Sequence, residues 1–298
     1  GLPASGVNPR RWSPLKPGWP GCAAMPATSL LDVEPKALTP GRTLCHADIQ
    51  WPSGAARANL PAADDDGHSN LSWHQGLTAL VGHPLAEARS PQLGFRFSDH
   101  HLIWLESGAV ADALDCAGQT DATLTEWCNA HLAASGLRGV EHAEMPYSLD
   151  AVDYAGFTDT HIEAQTRALG AWYGAAESAL TVVVSAYRDR AVTAPNLRCW
   201  PHHFDLGVLF ALDTGDPEHA RSVGIGLSPG DASYAEPYYY CTPWPPPEAL
   251  PEAPEPLHWH REGFVSMVMP ATRITADTEM AGLRTAEARV AFKALEDT

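Results

Sequence analysis

One long segment, residues 160–187, constrains the fold of this chain more than any other feature of its sequence. Apolar side chains recur along it every three or four residues, the spacing that places them on one face of an α-helix. Thr160 and Glu163 have the spacing of a capping box, which is typical of a helix start. The segment therefore predicts a long helix with one face buried in a core.

Strand-like segments stand on both sides of this helix. Before it, apolar and small or polar residues alternate over 93–97, and an apolar run at 102–105 follows a turn, which predicts a hairpin. After it come four segments rich in β-forming residues: 197–212, 222–227, 238–242 and 264–270. Strands grouped in two runs, rather than alternating with helices, indicate an α+β fold with mainly antiparallel strands in two strand-rich halves around the long central helix.

The ends of the chain define its expected organisation. Eight prolines among residues 1–42 predict an extended N-terminal arm without helix. Residues 43–298 are expected to form a single α+β domain, with two packed halves, 43–150 and 151–298, as the open alternative. Helices are expected at 123–135, opened by a capping box at Thr123 and Glu126, and at the C-terminus over 278–295. The proline-rich segment 243–256 is expected to be a surface connection.

The charge balance restricts the class of partner. Nineteen Lys and Arg against 36 Asp and Glu give a formal net charge of −17, which opposes binding to nucleic acid or to an anionic membrane. Six cysteines at irregular spacing fit neither a zinc knuckle nor a disulfide framework and predict reduced, mostly buried thiols. With no signal-peptide pattern, we expect a cytoplasmic protein, and the oligomeric state stays open.

Two histidine-containing segments suggest a metal site. If 200–205 is a strand, His203 and Asp205 point to one face, and His258 and His260 do the same in 258–260. Pairing of these two segments in one sheet would bring the four side chains together, and such a set suits a divalent metal. No established metal motif matches, so a polar small-molecule site and structural hydrogen bonds remain alternatives.

Carboxylates and aromatic rings in the same region predict a small-molecule pocket. Asp205 and Glu236 are the candidate catalytic residues, because a carboxylate can accept hydrogen bonds or act as a general base. The predicted ligand-binding residues are Trp200, His203, Asp205, Glu236, Tyr238 and Tyr240. Whether the protein is an enzyme stays open, and the alternative is a non-catalytic structural or interaction protein in which Asp205 and Glu236 make structural hydrogen bonds.

Three other patterns are interpreted without a chemical role. Asp99-His100-His101 falls at a hairpin turn, where such residues are commonly solvated. Gly224-Ile225-Gly226 is not a phosphate loop, because no helix start and no Gly-Lys-Ser/Thr follows it; a bulged strand and a tight turn are expected instead. Gly-x-Ser-x-Gly, the signature of a nucleophile elbow, is missing from the sequence.

Three segments in order resemble a bacterial family of uncharacterised proteins, a domain of unknown function. They are 95–102, 204–206 and 235–240, and the family carries F-x-F-x-D-H-x-L, W-G-S-F-D-L-A and P-E-P-x-F-Y-x-Y-x-Y-P. The likeness extends over residues 43–292 and implies a shared fold, with no activity attached. It gives Phe204, Asp205, Glu236 and Pro237 more weight than His202 and His203. The family has Gly-Ser where this chain has Pro-His-His, which weakens the metal interpretation.

Overall fold

A computed structural model describes residues 30, 32–142, 160–216, 219–275, 278 and 280–296. Five α-helices lie within these ranges: α1 (Thr39–Asp48), α2 (Gln50–Asn59), α3 (Asp121–Ala134), α4 (Thr160–Tyr187) and α5 (Met280–Glu296). The long central helix α4 has the bounds that the sequence predicted. It packs against α1 and α5 and against strands of both sheets, so it forms the centre of the molecule.

Two antiparallel sheets flank α4. The first, in strand order, contains β1 (Ser72–His74), β2 (Ala79–Val81), β3 (Gln92–Arg96), β4 (His101–Glu106) and β5 (Ala109–Asp115). The second runs in the order β10-β11-β9-β8-β7-β6. Its strands are β6 (Arg198–Trp200), β7 (Asp205–Ala211), β8 (Ser222–Ser228), β9 (Tyr238–Trp244), β10 (His258–His260) and β11 (Ser266–Pro270). The predicted α+β class and the hairpin of β3 and β4 are thus confirmed.

The two faces of the second sheet differ because successive side chains of a strand point to opposite sides. On one face Leu206, Ile225 and Tyr239 are buried in the core, where α4 and α5 cover the sheet. The other face carries Asp205 and Gly207 on β7, Gly226 on β8 and Tyr240 on β9, paired across the strands. Within the described ranges, α4 and α5 pack on the first of these faces, and the second, uncovered face forms the wall of the site described below.

A single buried cluster of apolar side chains joins the two sheets. Phe95 of the first sheet and Leu206 of the second belong to the same core, together with Trp172 of α4. An isolated bridge pairs Leu71, just before β1, with Cys199 of β6. The interior is therefore continuous from one sheet to the other.

The N-terminal region departs from the prediction. A 3-10 turn (Pro35–Leu38) and the start of α1 at Thr39 lie inside the segment expected to be an extended arm, and α1 and α2 were not predicted. Pro35 and Pro40 stand in the first positions of their helical segments, where a missing N–H costs no hydrogen bond. Proline density therefore gave the wrong expectation for residues 35–42. The rest of the predicted arm, 1–29 and 31, lies outside the described residues.

Smaller corrections concern element boundaries. Helix α3 is capped by Thr120, whose side chain accepts a hydrogen bond from Thr123 N, so the capping box predicted at Thr123 and Glu126 was three residues late. The predicted strand 197–212 is interrupted by a turn at 201–204. As expected, the proline-rich segment connects two strands, β9 and β10.

The five described cysteines are buried and free, as predicted: Cys45, Cys116, Cys128, Cys199 and Cys241. None of the helices in the described ranges has the length and apolar character needed to cross a bilayer.

Candidate functional site

A cavity of about 360 Å³ opens on the uncovered face of the second sheet. It is lined by His203, Asp205, Ser228, Asp231, Tyr238, Tyr240, Thr242 and Phe264. Four of these, His203, Asp205, Tyr238 and Tyr240, are among the ligand-binding residues that the sequence predicted. Two larger hollows, of about 590 and 540 Å³, lie elsewhere, but neither is lined by a buried polar residue. The cavity beside Asp205 is therefore the candidate site.

Tyr240 spans the sheet to reach Asp205. Its hydroxyl donates a hydrogen bond to Asp205 Oδ2, although the two residues lie on β9 and β7 with β8 between them. Glycines make this possible: a Cβ at Gly207 or at Gly226 would stand 2.5 Å from the Tyr240 hydroxyl oxygen. The phenol ring therefore lies close against the sheet. Gly226 belongs to a regularly paired strand, so its role is to leave room for Tyr240 rather than to form the expected bulge.

The carboxylate of Asp205 lies in a polar niche with restricted contact to solvent. Asp205 is half-buried overall. Its Oδ1 atom, however, is out of contact with solvent and makes no hydrogen bond to any residue in the described ranges. Burial raises the pKa of Asp205, and the Tyr240 hydroxyl and nearby His203 oppose that rise. Because Asp205 lines the cavity, its carboxylate can accept a hydrogen bond from a bound molecule or take up a proton.

A tight turn, rather than strand alternation, puts His203 beside Asp205. Residues 201–204 form the turn, in which Phe204 N donates to the carbonyl of Trp200 at 2.7 Å. Phe204 has a φ of +57°, a conformation that non-glycine residues rarely adopt, and β7 begins at the next residue. The prediction that His203 and Asp205 share one environment therefore agrees with the structure, but the reason given for it was wrong.

The Phe204 ring anchors this turn in the core. It stacks on His46 with ring centroids 5.2 Å apart, and the Tyr173 hydroxyl donates a hydrogen bond to the Phe204 carbonyl. His46 Nε2 lies 2.8 Å from the carbonyl of Pro201, to which it donates. Burial, with Arg42 nearby, lowers the pKa of His46 to about 4, so this histidine is neutral at physiological pH. These contacts hold the start of β7, and hence Asp205, in place.

A second carboxylate and a second tyrosine form the opposite part of the wall. The Tyr238 hydroxyl donates to Asp231 Oδ2 at 2.6 Å. Asp231 Oδ1 accepts hydrogen bonds from the backbone N–H groups of Ser233 and Tyr234, which fixes the carboxylate in the loop after β8. The sequence identified this loop only as a turn and did not predict Asp231 as a site residue.

The histidines of β10 contact Tyr234 and are not assembled with His203 and Asp205. Tyr234 Oη lies 3.1 Å from His258 Nε2 and 3.0 Å from His260 Nδ1. The His260 ring stacks on Phe264 with centroids 4.2 Å apart, so His260 supports one aromatic residue of the wall, whereas Tyr234 lies outside the wall. As expected, both histidines project from one face of their strand.

The sheet order rules out the strand pairing on which the four-residue metal site depended. Strands β7 and β10 are separated by β8, β9 and β11, so the two predicted pairs of ligands do not come from neighbouring strands. The predicted set of His203, Asp205, His258 and His260 is therefore wrong as a metal site.

Glu236 and Trp200 do not line the cavity. Glu236 is buried and accepts hydrogen bonds from Thr272 N at 2.7 Å and Thr272 Oγ1 at 3.2 Å, which ties the segment before β9 to the turn after β11. Trp200 pairs with Asp205 in the ladder of β6 and β7. The structure thus separates the two predicted carboxylates, and Glu236 has a structural role.

A buried group elsewhere in the core could hold a metal ion. Asp48, His100 and Cys116 each offer a ligand atom, and these atoms lie within 4.8 Å of one another; no other such group occurs among the described residues. His100 was expected to be a solvated turn residue, but only 3% of it is exposed. Its φ of +60° is a left-handed backbone conformation that turns the ring inward, and no sequence pattern predicts that conformation.

Asp231 and Phe264 are the lining residues for which the sequence gave a weak signal. Ser228-Pro229-Gly230-Asp231 was recognised as a turn, and an Asp that follows Pro-Gly commonly accepts backbone hydrogen bonds. Phe264 was placed at the start of a strand, whereas it lies in the loop before β11. Their shared position follows from the sheet order, which the sequence alone did not provide.

No family model, curated protein or solved structure matches this chain. The resemblance to a bacterial family therefore stays a prediction.

Proposed function

We propose that the protein binds a small organic cation, such as an amine or a guanidine, in the cavity beside Asp205. The observation that carries the proposal is the Asp205 carboxylate, which lines the cavity together with a second carboxylate, Asp231. A protonated amine supplies both the hydrogen-bond donor and the positive charge that a carboxylate accepts most strongly.

The rest of the wall has matching chemistry. Two of its eight residues are Asp, and none of the eight is Lys or Arg. Three are aromatic, namely Tyr238, Tyr240 and Phe264, and the face of an aromatic ring attracts a cation. A volume of about 360 Å³ lies at the small end of the range for ligand pockets. Together these features favour a small cation over an anionic or a large ligand.

The cavity proposal involves no metal. The residues that could hold a divalent ion, Asp48, His100 and Cys116, belong to the core and do not line the cavity. The alternative of a purely structural role for both carboxylates fits Glu236, which is bonded on both oxygens, better than it fits Asp205.

A thermal-shift experiment with three matched compounds tests the proposal. Benzylamine, benzyl alcohol and benzoate share one ring and differ in charge at the substituent. A ligand that binds only the folded protein raises the unfolding midpoint, so we expect benzylamine and small alkyl amines and guanidines to raise it. Benzyl alcohol is expected to act weakly and benzoate not at all.

Asp205→Asn is the diagnostic variant, because it keeps the shape of the side chain and removes its charge. Asp64→Asn is its control, since it removes the same charge from an exposed loop outside the cavity. We expect the amine-induced shift to disappear in the first variant and to persist in the second. Equal shifts for all three compounds, or an undiminished amine effect in Asp205→Asn, would refute the proposal.

A further inference from the structure

Three chain segments far apart in sequence bring a carboxylate, an imidazole and a thiol together inside the core. Asp48 is the last residue of α1, His100 ends the turn between β3 and β4, and Cys116 follows β5. All three are buried, with exposed fractions of 0%, 3% and 0%. A backbone hydrogen bond from Cys116 N to the His100 carbonyl, 3.1 Å long, holds two of them side by side.

The orientation of His100 is that of a metal ligand. Its Nδ1 lies 3.2 Å from Thr166 Oγ1, an outer partner of the kind that fixes the ring of a ligating histidine. The other nitrogen, Nε2, lies 3.0 Å from Asp48 Oδ2, which is within ion-pair distance. A ligand atom of Cys116 lies within 4.8 Å of those of His100 and Asp48, so the three side chains face one another.

From this arrangement we infer that Asp48, His100 and Cys116 bind a divalent transition-metal ion of the zinc type. A mixed set of oxygen, nitrogen and sulfur atoms suits such an ion, whereas magnesium and calcium prefer oxygen alone. A carboxylate and a thiolate together carry two negative charges, which balance a dication and leave no net charge in the apolar core.

Binding the ion requires the Cys116 thiol to lose its proton to solvent while His100 coordinates as the neutral imidazole. Because all three side chains are buried, the ion joins α1 to the first sheet and does not meet a substrate. This role is independent of the cavity beside Asp205.

Metal analysis of the untagged protein tests the inference. We expect about one zinc ion per chain after purification without chelators, and a lower unfolding midpoint after chelation that zinc restores. Cobalt substituted for zinc is expected to show the sulfur-to-metal charge-transfer band of thiolate coordination. The cobalt spectrum needs no substitution, so it is informative even if a variant fails to fold.

Cys116→Ser is expected to lower the ion content about tenfold or more, because it removes the thiolate with little change of shape. Cys128→Ser is the matched control, since Cys128 is equally buried and lies outside the group of three. The inference is overturned if folded wild-type protein contains no ion and gains no stability from zinc or cobalt. It is also overturned if the cobalt form lacks the thiolate band, or if both serine variants retain the ion.

Discussion

The Tyr240 hydroxyl controls both the position and the charge of Asp205. It donates to Oδ2 of a carboxylate whose pKa burial raises, and a hydrogen bond to the ionised form opposes that rise. The phenol pKa is itself raised well above its usual range by burial and by Asp205, so Tyr240 stays a donor at physiological pH. The pair therefore presents a carboxylate to the cavity.

Tyr240→Phe removes this donor and keeps the ring. We expect it to lower the free energy of unfolding by about 1.5–3 kcal/mol, the usual cost of a lost hydrogen bond to a charged group, measured by denaturant titration at neutral pH. A stability within error of wild type would show that the hydroxyl does not hold Asp205. Phe264→Leu serves as a comparison, because it changes the wall without touching the Asp205 hydrogen bond.

The pH dependence of amine binding follows from the same pKa. Binding requires the ionised carboxylate, so affinity is expected to fall as the pH drops through the pKa of Asp205, which lies above that of an ordinary Asp. In Tyr240→Phe the pKa rises further, and the loss of affinity should begin at a higher pH. Calorimetric titrations with benzylamine between pH 8 and pH 5 check this, and an identical profile in both proteins would contradict it.

At the residue scale the sequence predicted the site in part. Asp205, Tyr238 and Tyr240 were predicted because strand alternation separates them from the core residues between them, such as the buried Tyr239. His100 was missed because its role depends on a left-handed backbone conformation at a non-glycine residue, for which side-chain type gives no signal.

Glycines on strands β7 and β8 leave the space that the Tyr240 side chain occupies. A methyl group at Gly207 would meet the Tyr240 hydroxyl at 2.5 Å, whereas one at Gly224 has no neighbour closer than 3.9 Å. Gly207→Ala is therefore expected to displace Tyr240 and to abolish the benzylamine-induced shift of the unfolding midpoint. Gly224→Ala, on the same face of the sheet, should leave it unchanged. If the benzylamine-induced shift of the unfolding midpoint were the same in both variants, this role of Gly207 would be disproved.

A buried ion pair within helix α5 faces the second sheet. Arg284 Nη1 lies 2.8 Å from Glu287 Oε2 with both side chains out of solvent contact, and the guanidinium stands 4.7 Å from the centre of the Tyr239 ring. Burial raises the pKa of Glu287 to about 7, and Arg284 opposes that rise. Desolvation of the acid is thus only partly compensated by its partner.

Substitutions of Arg284 and Glu287 show whether the pair affects stability through its buried charges or through packing alone. Arg284→Met leaves Glu287 buried without its cation and is expected to cost roughly 3 kcal/mol of unfolding free energy, whereas the double variant Arg284→Met/Glu287→Leu should recover at least half of that loss. Denaturant titrations measure both. Arg289→Met, on the exposed side of α5, is the control and should change stability by less than about 0.5 kcal/mol. Additive losses in the double variant would exclude this coupling.

At the element scale, prediction succeeded where one physical signal dominated. The α4 segment has an uninterrupted apolar face and was predicted with its observed bounds. Helix α1 was missed because Pro40 was interpreted as a helix breaker although it occupies the first turn. No element was predicted over α2, whose Pro52 also lies in the first turn. The order of the second sheet was also not predictable, because hydrophobic alternation fixes the faces of a strand but not its neighbours.

At the scale of the whole molecule, the continuous core predicts that the two sheets unfold together. Buried residues of both sheets contact the same helix, and the bridge between Leu71 and Cys199 joins their edges. We expect a single thermal transition, with coincident curves from tryptophan fluorescence and far-ultraviolet circular dichroism. Two separated transitions would instead favour the alternative of two packed halves.

On the uncovered face of the second sheet, glycines, the bridging Tyr240 and the half-buried Asp205 together form the one small acidic cavity that is proposed to bind an organic cation. A crystal structure of the protein soaked with benzylamine tests that conclusion most directly. The predicted result is an ammonium nitrogen about 3 Å from the Asp205 carboxylate, with the ring against Tyr238, Tyr240 or Phe264. An amine bound elsewhere, or a cavity that holds only water at saturating amine, would contradict it.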